Sequence, residues 1–566
     1  MLNLSVMSRH SLLIIFILLS AIPAIPQESS DYPIPVDETD EPMAKGAFEP
    51  TWESLRNYQV PEWFRNAKFG IWAHWGAQCV EGSGDWMARG LYIEDNGQSI
   101  YHREHYGHPS EFGYKDILPL FKAERWNPEE LVKFYKEIGA EYFFALGNHH
   151  DNYDLWDSKY QEWNSMNIGP KRDILREWAE AAKKVGLPFG ISFHADHAWT
   201  WFETSRRFDL KGDKRGRLYD GWLTKEDGFV LNADGSEKWW KGYDPQKLYA
   251  QSHDLSEGTW DNVAVHRQWG WEGGACPPSK EFVTNFYNRT LDAINRYKPD
   301  LIYFDVTVLP FYPVSDAGMK IAAHFYNTAM NKKLIENTNK TKDVKTTGVL
   351  FGKILDEQQK DAMVWDVERG APNQIASRVW QCCNCIGDWH YNTRVYENGQ
   401  YKSASTIVKL LVDIVSKNGN MLLSVPLRAD GTFDEKEEAI LKEFGAWMKV
   451  NKESIVGTRP WRVFGEGPIA DSDIKINAQG FNDGEYAKAG ASEIRYTTKD
   501  NCIYATALAW PEDMTMSLRS LAAEKIKSVE LLGYGQVKYA QTAEGVKVVL
   551  PKRVNDIAPV LKIVSK

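Results

Sequence analysis

The sequence predicts an α/β chain: a (β/α)8-type (TIM-like) barrel followed by a C-terminal all-β sandwich. Between about residues 65 and 450, short apolar runs alternate with amphipathic helical stretches, and strand-then-helix units repeated this often imply a parallel sheet closed by crossovers. The length of that region, roughly 380 residues with one long interruption, fits an eight-fold barrel. After residue 455 the periodicity changes to short alternating runs, the pattern of a sandwich.

The elements follow in order. Residues 1–24 read as a signal peptide: Arg9 and His10 precede the apolar run Leu12 to Leu19, and the small residues Ser20, Ala21 and Ala24 follow. That run is too short to span a bilayer, and no other stretch approaches ~18 uninterrupted apolar residues. An exported protein, periplasmic or extracellular and without membrane insertion, is expected. Residues 25–50, rich in Pro and acidic side chains, read as a flexible leader. The barrel is assigned to 51–455 and the sandwich to 456–566.

Strands are expected at Lys68 to His74, Glu141 to Leu146, Leu187 to Phe193, Leu301 to Asp305, Met363 to Asp366 and Met421 to Val425. Helices are expected at Glu129 to Ile138, Ile174 to Val185, Lys280 to Tyr297, Ser403 to Ser416 and Glu435 to Val450. In the second of these, Ile174, Leu175, Trp178, Ala181, Ala182 and Val185 share one face. The interruption, Ala195 to Pro278, is rich in Trp, Gly and charge with weak periodicity, and a segment of that kind after a barrel strand sits over the mouth. In the tail, Glu493 to Thr497, Cys502 to Leu508, Val529 to Leu532 and Val546 to Leu550 alternate.

Composition narrows the function. With 23 Trp and 26 Tyr, the chain carries more planar surface than its core needs, which suits stacking on sugar rings; an aromatic-rich core is the other reading. A net charge of −10 argues against nucleic acid, whose binding needs clustered Lys and Arg. Six Cys in 566 residues are not a disulfide framework, and Cys382, Cys383 and Cys385 lack the second pair that a structural zinc site uses.

In a parallel barrel, chemistry collects at the C-terminal strand ends. Read in order, those ends give His74 with Trp75, then His149 and His150, His194, Asp305 and Glu368. Asp305 closes a fully apolar strand, where a carboxylate is costly without purpose. It suits the nucleophile of a retaining glycosidase, with a helix N-cap as the alternative. Such an enzyme needs a second carboxyl group about 5 Å away to protonate the leaving oxygen. Glu368 is the candidate, Asp366 competes, and a loop ion pair with Arg369 is the alternative role for Glu368. A metal-dependent hydrolase is the rival chemistry, with His149, His150, Asp151 and His194 as ligands. The same histidines serve as hydrogen-bond partners for sugar hydroxyls.

With these motifs in hand, the chain resembles the α-L-fucosidases of glycoside hydrolase family 29. The resemblance rests on Trp63 to Gly76 (WFRNAKFGIWAHWG), Gly84-Asp-Trp86, the segment at His149-His150-Asp151, and Asn164-Ser165 with Gly169 to Asp173. Lys298 to Asp305, Ile386 to Asn392 and Ser416 to Ser424 extend it. The pieces occur in the family's order over about residues 52–460. The resemblance implies a retaining double displacement without metal or organic cofactor, on fucosylated or related L-sugar-containing glycans. It implies Asp305 as nucleophile and Glu368 as acid/base, with His74, His149 and His150 bonded to fucose hydroxyls and Trp86 and Trp389 lining the pocket. His194 joins them as a strand-end residue, and Asp85 as the shorter carboxylate where the family often has Glu before the pocket Trp. Val306 and Thr307 stand where a small residue usually follows the nucleophile, and Glu336 to Lys340 lacks an Arg that some members place in the site. These departures leave three readings open: an exo-acting α-L-fucosidase, the same machinery retuned to α-L-galactose, and an inactive barrel that binds glycans.

Overall fold

The computed structural model describes residues 32–566 apart from 38, 331–345, 473–477, 480 and 485–487. The expected signal peptide, residues 1–24, lies outside the described residues, as does the segment 336–340. No helix among the described residues is long and apolar enough to cross a membrane.

Eight parallel strands close into a barrel in chain order: β1 (Phe69–Ala73), β2 (Tyr142–Leu146), β3 (Phe189–Phe193), β4 (Leu301–Phe304), β5 (Val349–Gly352), β6 (Val364–Glu368), β7 (Trp380–Cys385) and β8 (Gly419–Ser424). Every residue of β1, β2 and β3 is buried, because a parallel sheet is covered on both faces, which is why these strands read as unbroken apolar runs. The helices Ile174–Val185 and Lys280–Tyr297 have the bounds that their periodicity predicts. Each starts on a side chain that accepts an otherwise unpaired backbone N–H, Asp173 from Arg176 and Ser279 from Phe282.

Two strands carry no clear mark in the sequence. Strand β5 is only 4 residues long. Strand β7, Trp-Gln-Cys-Cys-Asn-Cys, is interrupted by the polar Gln381 and Asn384, yet all of it is buried. Its polar groups bond within the barrel: Gln381 Nε2 donates to Asp366 Oδ1 at 2.9 Å, and Gln381 Oε1 accepts from the Tyr142 hydroxyl at 2.9 Å. Such a strand escapes a search for hydrophobic runs. The Cys382, Cys383 and Cys385 cluster lies on it, buried and unpaired.

The interruption after β3 is built of turns and short 3-10 helices, with α-helical turns at Ala198–Trp201, Pro245–Tyr249 and Asn262–Arg267. The leader differs from expectation. From residue 32 onward it is tied to the barrel, with Val36 N–H donating to Asp316 at 2.9 Å and Ala44 N–H to His324 Nδ1 at 2.9 Å. Val36 and Phe48 are buried, and these apolar anchors within the acidic stretch order it.

The C-terminal region forms two antiparallel sheets. The larger runs in the order Gly535–Gln536, Ile526–Leu531, Val560–Ser565, Cys502–Ala507, Ile494–Lys499, Arg459–Glu466, and the smaller in the order Thr515–Leu518, Gly545–Val549, Tyr539–Thr542. Tyr496, Ile503, Leu561 and Ile563 of the first share a core with Met516, Leu518, Val546 and Val548 of the second, so the pair is a sandwich.

A buried charge cluster joins this region to the barrel. Arg495 Nε meets Asp413 Oδ1 at 2.6 Å, Lys417 Nζ meets Asp413 Oδ2 at 2.9 Å, and Arg495 meets Glu493 at 2.9 Å. Arg495→Met leaves Glu493 buried without its cation and takes one of two from Asp413. It is expected to cost about 3–5 kcal/mol, read as a lowered denaturant midpoint. An unchanged midpoint shows the cluster to be energetically neutral.

Candidate active site

Most of the strand-end residues singled out in the sequence come together at one place. His74, Asp85, Trp86, His149, His194, Asp305, Glu368 and Trp389 line one cavity of about 420 Å³ at the mouth of the barrel. His150, expected among the residues that bond fucose hydroxyls, does not line this cavity: it sits behind Asp305 with both ring nitrogens engaged by the protein.

Asp305 follows β4 directly. Its Oδ2 lies 3.1 Å from His150 Nε2 and 3.5 Å from His194 Nδ1, and its Oδ1 accepts from Lys353 Nζ. His150 Nδ1 faces the His194 carbonyl at 2.8 Å. The His150 ring thus bridges the His194 carbonyl and the Asp305 carboxylate. Glu368 is the last residue of β6, and its Oε2 accepts from the same Lys353 Nζ at 2.8 Å. Two carboxylates that share one ammonium nitrogen have their nearest oxygens no more than about 5 Å apart, close enough to act as a retaining pair.

Lys353 carries no motif in the sequence. It follows β5 as Asp305 follows β4, so the strand-end rule finds it once β5 is recognised. Burial works against charge here, but Asp305 and Glu368 raise the Lys353 pKa well above the usual lysine range. Burial also pushes the Asp305 carboxyl up. The Lys353 ammonium and the hydrogen bonds from His150 and His194 outweigh it and hold Asp305 well below the usual carboxylate range. Asp305 is therefore a carboxylate at neutral pH, as a nucleophile must be.

Asp366, the competing acid, points into the barrel interior. It accepts from Gln381 Nε2 at 2.9 Å and from Cys383 Sγ at 3.0 Å, and burial pushes its pKa up to about 6. It does not line the cavity, so geometry favours Glu368.

The remaining polar groups are suited to sugar hydroxyls. Gln78 Oε1 accepts the Ala88 N–H at 3.3 Å, which orients its Nε2 to donate to His149 Nδ1 at 2.8 Å. The proton of His149 is then on Nε2, facing Asp85 at 3.9 Å. Asp85 accepts from His390 Nδ1 at 2.6 Å, a partner that the sequence alone did not suggest. Burial first, then the neighbouring histidines, lowers His74 and His149 well below the usual range; burial lowers His194 to about 4 against the pull of Asp305. Three neutral imidazoles result, each able to donate or accept. Trp86, at a left-handed φ of 60°, stacks on His266 with ring centroids 5.0 Å apart, and Trp389 lies 5.1 Å from the His74 ring.

Among the described residues, two triads have ligating atoms within 4.8 Å of one another: His149, His150 and His194, and Asp85, His149 and His390. A cation in the first would displace His150 from its two partners. Asp151, the fourth member of the rival zinc set, is engaged elsewhere, accepting from the Tyr114 hydroxyl.

The alpha-L-fucosidase family model matches residues 36–453, and the model of its C-terminal domain matches residues 489–564. The chain belongs to the alpha-L-fucosidase family. Among its relatives, the tissue alpha-L-fucosidase of Rattus norvegicus is 25% identical over 517 residues, covering 90% of each chain. The human tissue enzyme is 24% identical over 512 residues, covering 89% of this chain and 88% of its own. The alpha-fucosidase of Thermotoga maritima, solved in complex with fucose, superposes with a TM-score of 0.61 at 23% identity, over 91% of this chain and 100% of that one. At that identity the superposition speaks for the fold alone.

Lys353→Met is expected to lower kcat/KM on an aryl α-L-fucoside roughly 10- to 100-fold at neutral pH, since both carboxylates lose their common anchor. Without the ammonium the burial of Asp305 is less opposed and its pKa rises, so the acid limb of the pH–rate profile moves to higher pH. Lys353→Arg retains most activity. An acid limb that stays in place in Lys353→Met removes this role.

Proposed function

We propose that this chain hydrolyses terminal α-L-fucosyl residues of glycans with retention of configuration, through a fucosyl-enzyme on Asp305. In the first step the Asp305 carboxylate bonds to the anomeric carbon, while Glu368 gives its proton to the departing glycosidic oxygen. In the second, Glu368 takes a proton from water, the oxygen of that water bonds to the anomeric carbon, and Asp305 leaves as carboxylate. Both carboxyl groups end as they began. His74, His149 and His194 are placed to bond the sugar hydroxyls, and Trp86 and Trp389 to flank its apolar edge.

The observation that carries this reading is the pair Asp305 and Glu368, held on one ammonium nitrogen at the wall of a cavity lined by histidine and tryptophan. The test is hydrolysis of an aryl α-L-fucoside beside the matching α-L-galactoside, which adds a hydroxyl at C6. Faster turnover of the fucoside is expected. Faster turnover of the galactoside reassigns the sugar, and turnover of neither leaves a glycan-binding barrel. Export belongs to the same proposal, with a mature N-terminus expected near residue 25 and read by N-terminal sequencing of the secreted protein.

A further inference from the structure

The C-terminal region reaches the barrel mouth through a short segment that also contributes to the cavity wall. Gln479 clasps the ends of β5 and β6: its Nε2 donates to the carbonyls of Lys353 at 3.0 Å and Asp366 at 2.8 Å, and its Oε1 accepts the Glu368 N–H at 3.1 Å. Farther along, Asn482 Oδ1 accepts the Ala371 N–H at 3.3 Å. The Asp483 carboxylate meets Arg369 at 3.3 Å and Lys402 at 3.3 Å.

Between these anchors stands Phe481. Its backbone φ is 51°, a left-handed conformation that a bulky residue rarely adopts unless its surroundings impose it. Phe481 is 55% exposed and lines the cavity that holds Asp305 and Glu368. An apolar ring held at the mouth by a strained backbone and left half in solvent serves no packing purpose. The Arg369 guanidinium lies 5.6 Å from the ring centroid, and Arg369 is the residue after Glu368. In the reaction proposed above, the acid stands beside the glycosidic oxygen, so the sugar being released leaves on that side.

We propose that Phe481, with Arg369 beside it, forms the subsite for the leaving-group sugar. Its ligand is a neutral pyranose, whose apolar C–H face stacks on the phenyl ring while a hydroxyl accepts from the guanidinium. Substrate choice then depends on a residue outside the barrel. This inference rests on the fucosidase reading and refines it.

The test compares α1,2-, α1,3-, α1,4- and α1,6-linked fucosyl disaccharides with α-L-fucosyl fluoride, whose leaving group has no ring. For the best disaccharide, the ratio of its kcat/KM to that of the fluoride is expected to fall about tenfold in Phe481→Ala, through KM. Phe481→Leu, which keeps the apolar bulk without the flat face, falls alike, and Phe481→Trp holds the ratio. A ratio within twofold of wild type in both Ala and Leu variants overturns the subsite, as does a loss equal on both substrates. Wild-type protein that cleaves neither the fluoride nor any disaccharide refutes the fucosidase reading itself.

Discussion

Asp305→Asn is expected to lower kcat on an aryl α-L-fucoside by about 10⁴-fold or more while the chain stays folded. The amide keeps the size and shape of the carboxylate but cannot form the bond to the anomeric carbon. It also faces two donors, Lys353 Nζ and His150 Nε2, and can accept from only one of them. A modest loss of stability accompanies the loss of turnover, and circular dichroism separates the two. External azide attacks the vacated face in the smaller Asp305→Gly variant, so its product is β-L-fucosyl azide. Activity within tenfold of wild type in Asp305→Asn removes this residue from the mechanism.

Glu368→Ala has an effect set by the leaving group. A sugar departs poorly without a proton, so on fucosyl disaccharides kcat/KM is expected to fall roughly 10³-fold; a nitrophenolate needs little protonation and loses far less. The second step then slows for want of a base, and the fucosyl-enzyme accumulates. Azide enters where the carboxylate stood and releases α-L-fucosyl azide, the anomer opposite to that from Asp305→Gly. The two adducts distinguish the two roles. Asp366→Asn is expected to give no azide adduct, because Asp366 lies in the barrel interior bonded to Gln381 and Cys383. An α-azide from that variant, with none from Glu368→Ala, reverses the assignment.

The sequence reveals those parts of the molecule in which one residue type repeats at one spacing. Strands such as Phe189–Phe193 are legible because both their faces are buried, and the helix Ile174–Val185 because only one is. The proposed pair is legible because Asp305 closes one expected strand, Leu301 to Asp305, and Glu368 follows another, Met363 to Asp366, by two residues. Strand β7 is not, since Gln381 and Asn384 break its apolar run and the buried Gln381 is satisfied by Asp366 and Tyr142 on other strands. Lys353 is hidden because the strand before it, Val349–Gly352, is not among the expected ones. Gln479, Phe481 and His390 owe their places to loops whose paths no local periodicity encodes. The leader reads as flexible because its Pro and acidic content masks the few apolar residues, Val36 and Phe48, that fix it to the barrel.

The measurement that bears most directly on the pairing of Asp305 with Glu368 is covalent trapping. A 2-deoxy-2-fluoro-α-L-fucosyl fluoride slows the second step more than the first, so the sugar remains on the attacking residue. Peptide mapping by mass spectrometry is expected to find one fucosyl adduct, an ester on Asp305. An adduct on any other carboxylate, or turnover of the parent fucoside whose first-formed product is β-L-fucose, contradicts the account.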